Sequence, residues 1–191
     1  MKRTSTLRLA SGALGASALA VLLVVLGGMA LAAQDKYTVK VPNGLAFSDF
    51  RGYEDWQIVT VSQIESANLL RAILANPVMI NAYRAGVPDN GKPFPNGSKI
   101  AKLEWTQKKI TDSPWSVSTP DTMAGPLKVV ELIEKDAKRF PDTHGWGYAE
   151  FAYDPASDKF TPAVNDAKCG AQCHEIAGAA KDYIFNAYAK R

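Results

Sequence analysis

Cys169, Cys173 and His174 lie in the run Lys168-Cys169-Gly170-Ala171-Gln172-Cys173-His174-Glu175, and no other residues of the sequence are so well suited to chemistry. Two thiols followed at once by an imidazole can fasten a haem covalently: the thiols become thioethers to the porphyrin vinyl carbons, and the His gives iron its proximal nitrogen. The usual attachment run has two residues between the cysteines; here three intervene. On a helix, positions i and i+4 share a face just as i and i+3 do, and one added residue lengthens the tether by at most about 3.6 Å. The wider spacing therefore keeps thiols and imidazole together. Two other readings stand beside haem c. These are the only cysteines of the chain, and in an oxidising compartment they could form a local disulfide, with His174 on the surface. A structural zinc site is the weaker alternative, since it takes four ligands and the chain offers two Cys and two His, with His144 far upstream.

Residues 1–32 read as an export signal. Lys2, Arg3 and Arg8 make a basic start, an uncharged run from Leu9 follows, and Ala30-Leu31-Ala32 is a small-residue cleavage site, so cleavage is expected before Ala33. The competing reading is an uncleaved membrane anchor, because the apolar run is long enough to span about 30 Å of hydrocarbon. Export to the periplasm fits covalent haem attachment. Of the 22 basic residues, Lys2, Arg3 and Arg8 belong to the signal, so the remainder balances the 19 acidic ones. A domain without net charge or a basic run gives no footing for nucleic-acid binding.

The elements that must position the Cys-His run are mixed. Residues 33–191, roughly 160 in number, are enough for one domain with a sizeable core, and no internal repeat divides them. Trp56–Ile64 is β-branched and alternating, Lys99–Trp105 alternates with Ala101, Leu103 and Trp105 on one face, and Trp146–Tyr153 is an aromatic-rich third strand. Asn76-Pro77 reads as an N-cap and first-turn proline of a short helix through Met79, Ile80 and Tyr83 that stops near Gly86. Leu69–Leu74 is apolar enough for either strand or helix. Leu127–Phe140 is equally divided: Glu131/Lys135 and Glu134/Lys138 make helical i,i+4 pairs, while Val129, Glu131 and Ile133 alternate. Val87–Ser98 and Thr111–Pro126 read as turns and loops, and Lys181–Tyr188 as a terminal helix bringing aromatics to the haem. The expected class is α+β, an antiparallel β-sheet with short flanking helices and the haem near the C-terminus, not an all-helical bundle.

Several blocks together carry a family resemblance. They are Tyr53-Glu54-Asp55-Trp56, Leu70-Arg71 with Asn76-Pro77, Phe94 to Lys102, Lys135 to Phe140 with Gly145-Trp146-Gly147-Tyr148, and Cys-x3-Cys-His followed by Asp182-Tyr183-Ile184-Phe185. In order and spacing the chain resembles the cytochrome P-460 family, whose relatives include the NO- and CO-binding beta-type cytochromes c-prime. The resemblance implies a homodimer built on an antiparallel sheet, with a five-coordinate haem c open to small nitrogen-containing or gaseous ligands.

It also implies site residues. In hydroxylamine-oxidising members a lysine is bonded to a porphyrin meso carbon, and by position in the Gly-x4-Lys block that residue is Lys102, with Lys99 the less favoured choice by register. The residues alone make Lys102 an ordinary solvated lysine. Glu131 falls where the family places a distal carboxylate that relays protons, a role favoured by desolvation in an apolar pocket; the residues alone equally allow a surface pair with Lys135. Arg71 is a candidate hydrogen-bond donor to the distal pocket, although a surface role is as compatible with its place at a strand end. The departure from the family pattern is the extra residue in the Cys-His run, which leaves ligation by His174 intact and leaves open a single thioether through Cys173. The implied activity is periplasmic hydroxylamine oxidation with electrons passed to an external redox partner protein. Its rivals are a non-enzymatic NO/CO-binding cytochrome and a plain electron carrier, which needs Met79, Met123 or His144 as a second strong ligand.

Overall fold

The computed structural model describes residues 33–42, 44–110 and 121–188; the expected signal lies outside them. The elements below belong to the unit Gln34–Arg191. Six strands form one antiparallel sheet in sequence order: β1 (Gln57–Ile64), β2 (Leu69–Ala75), β3 (Lys99–Ile110), β4 (Asp121–Lys135), β5 (Trp146–Asp154) and β6 (Lys159–Pro162). The α+β class follows from this sheet and, among the described residues, two short helices, α1 (Pro77–Arg84) and α2 (Lys168–His174), with a few 3₁₀ turns.

Local chemistry accounts for α1. The Asn76 side chain accepts from Met79 N and Pro77 stands in the first turn, an arrangement in which the cap contributes about 1 kcal/mol. Asn76 also ties the helix to the sheet, since its Oδ1 accepts from Lys99 N at 3.1 Å and its Nδ2 donates to the Gly97 carbonyl at 2.8 Å.

Each strand of the central four offers different residues to the two faces. Leu74, Ala101, Leu132 and Ala149 share one cross-strand row, and on the same face Val130 and Phe151 are fully buried. The N-terminal 3₁₀ turns cover this face: the Phe47 ring packs 4.7 Å from Phe151 and 4.9 Å from Phe160, and Phe50 and Tyr53 are buried with it. Burying side chains of this size stabilises by about 1.5–3 kcal/mol each. The opposite face carries a mixture of apolar and charged residues.

Two expectations change and two open readings are decided. The first part of Leu127–Phe140, open between strand and helix, lies in β4, so Glu131 and Lys135 stand four strand positions apart and find other partners. Of the expected loop Thr111–Pro126, residues 111–120 lie outside the described residues, and Asp121–Pro126 belong to β4. Lys181–Tyr188 is no helix, because Asp182 and Tyr183 both take left-handed backbone angles, φ 45° and 61°, which an α-helix of L-residues does not accommodate. The ambiguous Leu69–Leu74 lies in β2.

Candidate functional site

The second sheet face is a wall of a cavity of about 550 Å³. Two cross-strand rows line it. Ile73, Lys102, Glu131 and Glu150 are successive partners across β2 to β5, and Ile100, Ile133 and Tyr148 form the row beside them. Arg71 adds a guanidinium from β2. The remaining wall comes from α2 and the tail, with Cys169, Gly170, Cys173, His174 and Phe185. All six candidate residues thus meet at one cavity, although Arg71 and His174 are far apart in sequence. A hollow of about 620 Å³, beside α1, is lined by Tyr83, Arg84 and Lys181 among others and holds none of the six.

Gly170 lets α2 lie directly on the sheet. A Cβ there would come within 2.5 Å of Tyr148 Cβ and Cγ, closer than carbon atoms tolerate. The small residue between the cysteines is therefore a packing requirement.

His174 is held on three sides. Its Nδ1 donates to the Tyr183 carbonyl at 2.5 Å, its ring centroid lies 4.9 Å from Tyr148, and Phe185 flanks it at 4.8 Å. A carbonyl can only accept, so the proton is on Nδ1 and the lone pair on Nε2, the tautomer of a metal-ligating imidazole. Burial pushes the imidazole below its ordinary pKa, against the Tyr183 hydrogen bond and with a smaller push from Lys102. Burial also raises the Tyr148 phenol well above its usual range, helped by the Asp182 charge, which keeps it a neutral hydroxyl. Cys169 and Cys173 are exposed free thiols one helical turn apart.

Charge on the sheet wall is organised around Lys102. Its amine pairs with Glu131 and lies 3.5 Å from Glu104. Glu104, only 7% exposed, also takes two nitrogens of Arg71 on its single oxygen Oε1, Nε at 2.8 Å and Nη2 at 2.7 Å. Burial lowers the Lys102 pKa; Glu104 opposes this and Arg71 reinforces it. The expectation of a solvated Lys102 is thereby corrected. Lys99 faces the other way, donating to the Asp49 carbonyl at 2.6 Å and pairing with Glu134 at 3.1 Å. Glu131 lies in a charged setting and not an apolar one, because Lys102 is its direct cross-strand neighbour.

Sequence reasoning missed Glu104, Glu150 and Tyr148. The signal for Glu104 was present, since it follows Lys102 by two and so shares its strand face. Tyr183 was expected as an aromatic, but its backbone carbonyl makes the contact. The candidate sixth ligands are elsewhere: Met79 is fully buried in the core, Met123 is exposed on β4, and His144 stacks on Tyr183 at 3.9 Å and contacts Glu175 at 2.6 Å.

These residues fit a haem. The cavity volume is within the ordinary range for small-molecule and cofactor sites, about 300–1,000 Å³, two thiols stand on its edge, and one imidazole faces it with its tautomer set. Among the described residues no group of three or more His, Cys, Asp or Glu converges as a metal site would require, so a four-ligand zinc centre lacks its donors. Among the same residues no helix is long and apolar enough to cross a membrane. No curated protein matches the chain. The family description Cytochrome P460 matches residues 50–186, from the 3₁₀ turn before β1 through α2 to the tail. With that match over most of its length, this haem-binding chain belongs to the cytochrome P460 family.

Proposed function

We propose that this protein is an exported, periplasmic c-type haem enzyme that oxidises hydroxylamine or a related small nitrogen compound. The observation that carries the reading is a single cavity lined both by His174, with Nδ1 committed to a carbonyl, and by a sheet wall bearing Arg71, Lys102 and Glu131. Cys169 and Cys173 would tether the porphyrin, and His174 Nε2 would ligate its iron. A bound haem supplies electron acceptance from the substrate nitrogen, with the electrons leaving to an external redox partner protein.

The chain's own residues account for the protons. Each electron taken from hydroxylamine is matched by a proton, and Glu131 is the carboxylate placed on the substrate wall to take it. Arg71, oriented by its two contacts with Glu104 Oε1, offers a fixed donor to a substrate oxygen. Lys102 would be the residue to hold the porphyrin at a meso carbon, through a bond that replaces the meso C–H and one amine N–H and so needs a two-electron oxidant such as a peroxide. An amine must lose its proton before it can form such a bond, and burial favours the uncharged form. Residues 1–32 serve in this reading as the signal, and the active form is a homodimer.

A second reading, a non-enzymatic NO- or CO-binding cytochrome, is favoured by the engagement of the Lys102 amine with Glu131 and Glu104. One experiment separates the two. Protein matured by its own haem-attachment system is digested and its haem-bearing peptides are identified by mass spectrometry. Haem on both the Cys169/Cys173 peptide and the Lys102 peptide supports the enzyme; haem on the first alone supports the gas binder. Colourless protein with Cys169 joined to Cys173 overturns both.

A further inference from the structure

The Tyr183 carbonyl reaches His174 only because the backbone there takes an unfavourable course. Asp182 and Tyr183 are consecutive non-glycine residues with φ of 45° and 61°, a region that side chains with a Cβ seldom enter. Such conformations persist where surrounding contacts over-determine them. Here the contacts converge on Asp182, from three separate elements.

Its Oδ1 accepts from Lys135 Nζ at 2.7 Å, and its Oδ2 accepts from Phe94 N at 2.8 Å. Its own carbonyl accepts from Trp146 Nε1 at 2.9 Å. Lys135 is in turn fixed by donating to the His144 carbonyl at 3.0 Å and by lying 4.8 Å above the Trp146 ring. The lysine and aspartate side chains are only 8% and 9% exposed. Neither lines the cavity.

A buried ion pair is weak support for stability, because desolvating both charges offsets most of their attraction. What this pair specifies is the direction of one carbonyl. The hydrogen bond from Nδ1 to an acceptor sets the orientation of a ligating imidazole and raises the basicity of its other nitrogen. We propose that Lys135 and Asp182 are positioning residues that aim the Tyr183 carbonyl at His174 Nδ1 and thereby tune the electron donation of the haem ligand. The proposal rests on His174 being that ligand. A more basic ligand favours oxidised iron, so the intact network holds the reduction potential down.

The test uses full-length, haem-loaded protein and the variants Asp182→Asn and Trp146→Phe. Asp182→Asn keeps the shape but removes the charge facing Lys135; Trp146→Phe keeps both charges and an aromatic ring under Lys135 while deleting the Nε1 donor to the Asp182 carbonyl and part of a buried ring. The readouts are the iron–histidine stretching band of the ferrous form by resonance Raman, the midpoint potential and the melting temperature. The expected result is a band at lower wavenumber and a more positive potential in both, with the larger shift in Asp182→Asn. If that variant fails to take up haem, Trp146→Phe decides on its own. A lowered melting temperature with band and potential unchanged overturns the proposal and leaves the network purely structural. A wild-type protein that is five-coordinate in the ferrous form yet lacks an iron–histidine band overturns His174 ligation itself, and the proposal with it, so the two failures are told apart.

Discussion

Lys102 on β3 and Glu131 on β4 are direct partners across the sheet on the cavity wall, and their charged ends pair. The pairing puts a carboxylate on the sheet wall of the cavity and keeps the Lys102 amine beside it. Glu131→Gln preserves the size of the side chain while abolishing its capacity to take a proton. Hydroxylamine oxidation should fall by about 10²–10⁴ in kcat, the usual contribution of a positioned acid–base group, with haem content unchanged. Wild-type turnover by the variant, measured under steady-state conditions, would sink the proton-relay role.

The lowered pKa of Lys102 gives a pH signature. Burial favours the uncharged amine, so at any pH below the ordinary lysine value of 10.5 this residue carries more free amine than an exposed lysine. In haem-free folded protein, trace labelling with a small acylating reagent should reach half-maximal reaction at Lys102 at a lower pH than in a short lysine peptide. The pH dependences are compared peptide by peptide by mass spectrometry. Denaturant should erase the difference, because the unfolded chain restores hydration.

Gly170 supplies a contrast between helix propensity and packing. On propensity alone Gly→Ala inside α2 should stabilise by about 1 kcal/mol, but the new Cβ would meet Tyr148 at 2.5 Å. Overpacking of that kind costs about 1–3 kcal/mol, so Gly170→Ala is expected to lower stability in urea denaturation. Adding Tyr148→Gly, which removes both the Cβ and the Cγ that the new methyl would strike, should reverse the sign of the glycine substitution. A stabilised single variant would mean that α2 does not lie on the sheet as described.

The two thiols give a prediction about attachment. Replacing Cys169 and Cys173 with Ala and Lys102 with Met should let acidified organic solvent extract the haem, while restoring either cysteine should leave some covalently held through that sulfur. Retention of all haem by the triple variant would assign a covalent bond to another residue.

Much of this arrangement could be read without coordinates because its causes are local. The spacing of Cys169, Cys173 and His174 is covalent and survives in any helical run. Asn76-Pro77 marks the start of α1 by satisfying its first amides, and alternation in Trp56–Ile64, Lys99–Trp105 and Trp146–Tyr153 marks strands with two unlike faces.

Other features depended on partners distant in sequence. Glu131 and Lys135 satisfy a helical pairing rule on paper, yet Glu131 turns to Lys102 and Lys135 to Asp182, and strand register decides both. The tail was legible as aromatic but not as bent, since left-handed angles at Asp182 and Tyr183 are tolerated only once Lys135, Phe94 and Trp146 hold them. Residue types and short-range spacing thus determined which groups were available for chemistry and most of the elements that carry them. Only the tertiary structure decided which charges face one another and which carbonyl meets His174, because long-range register and burial select among contacts that local pattern leaves equally open.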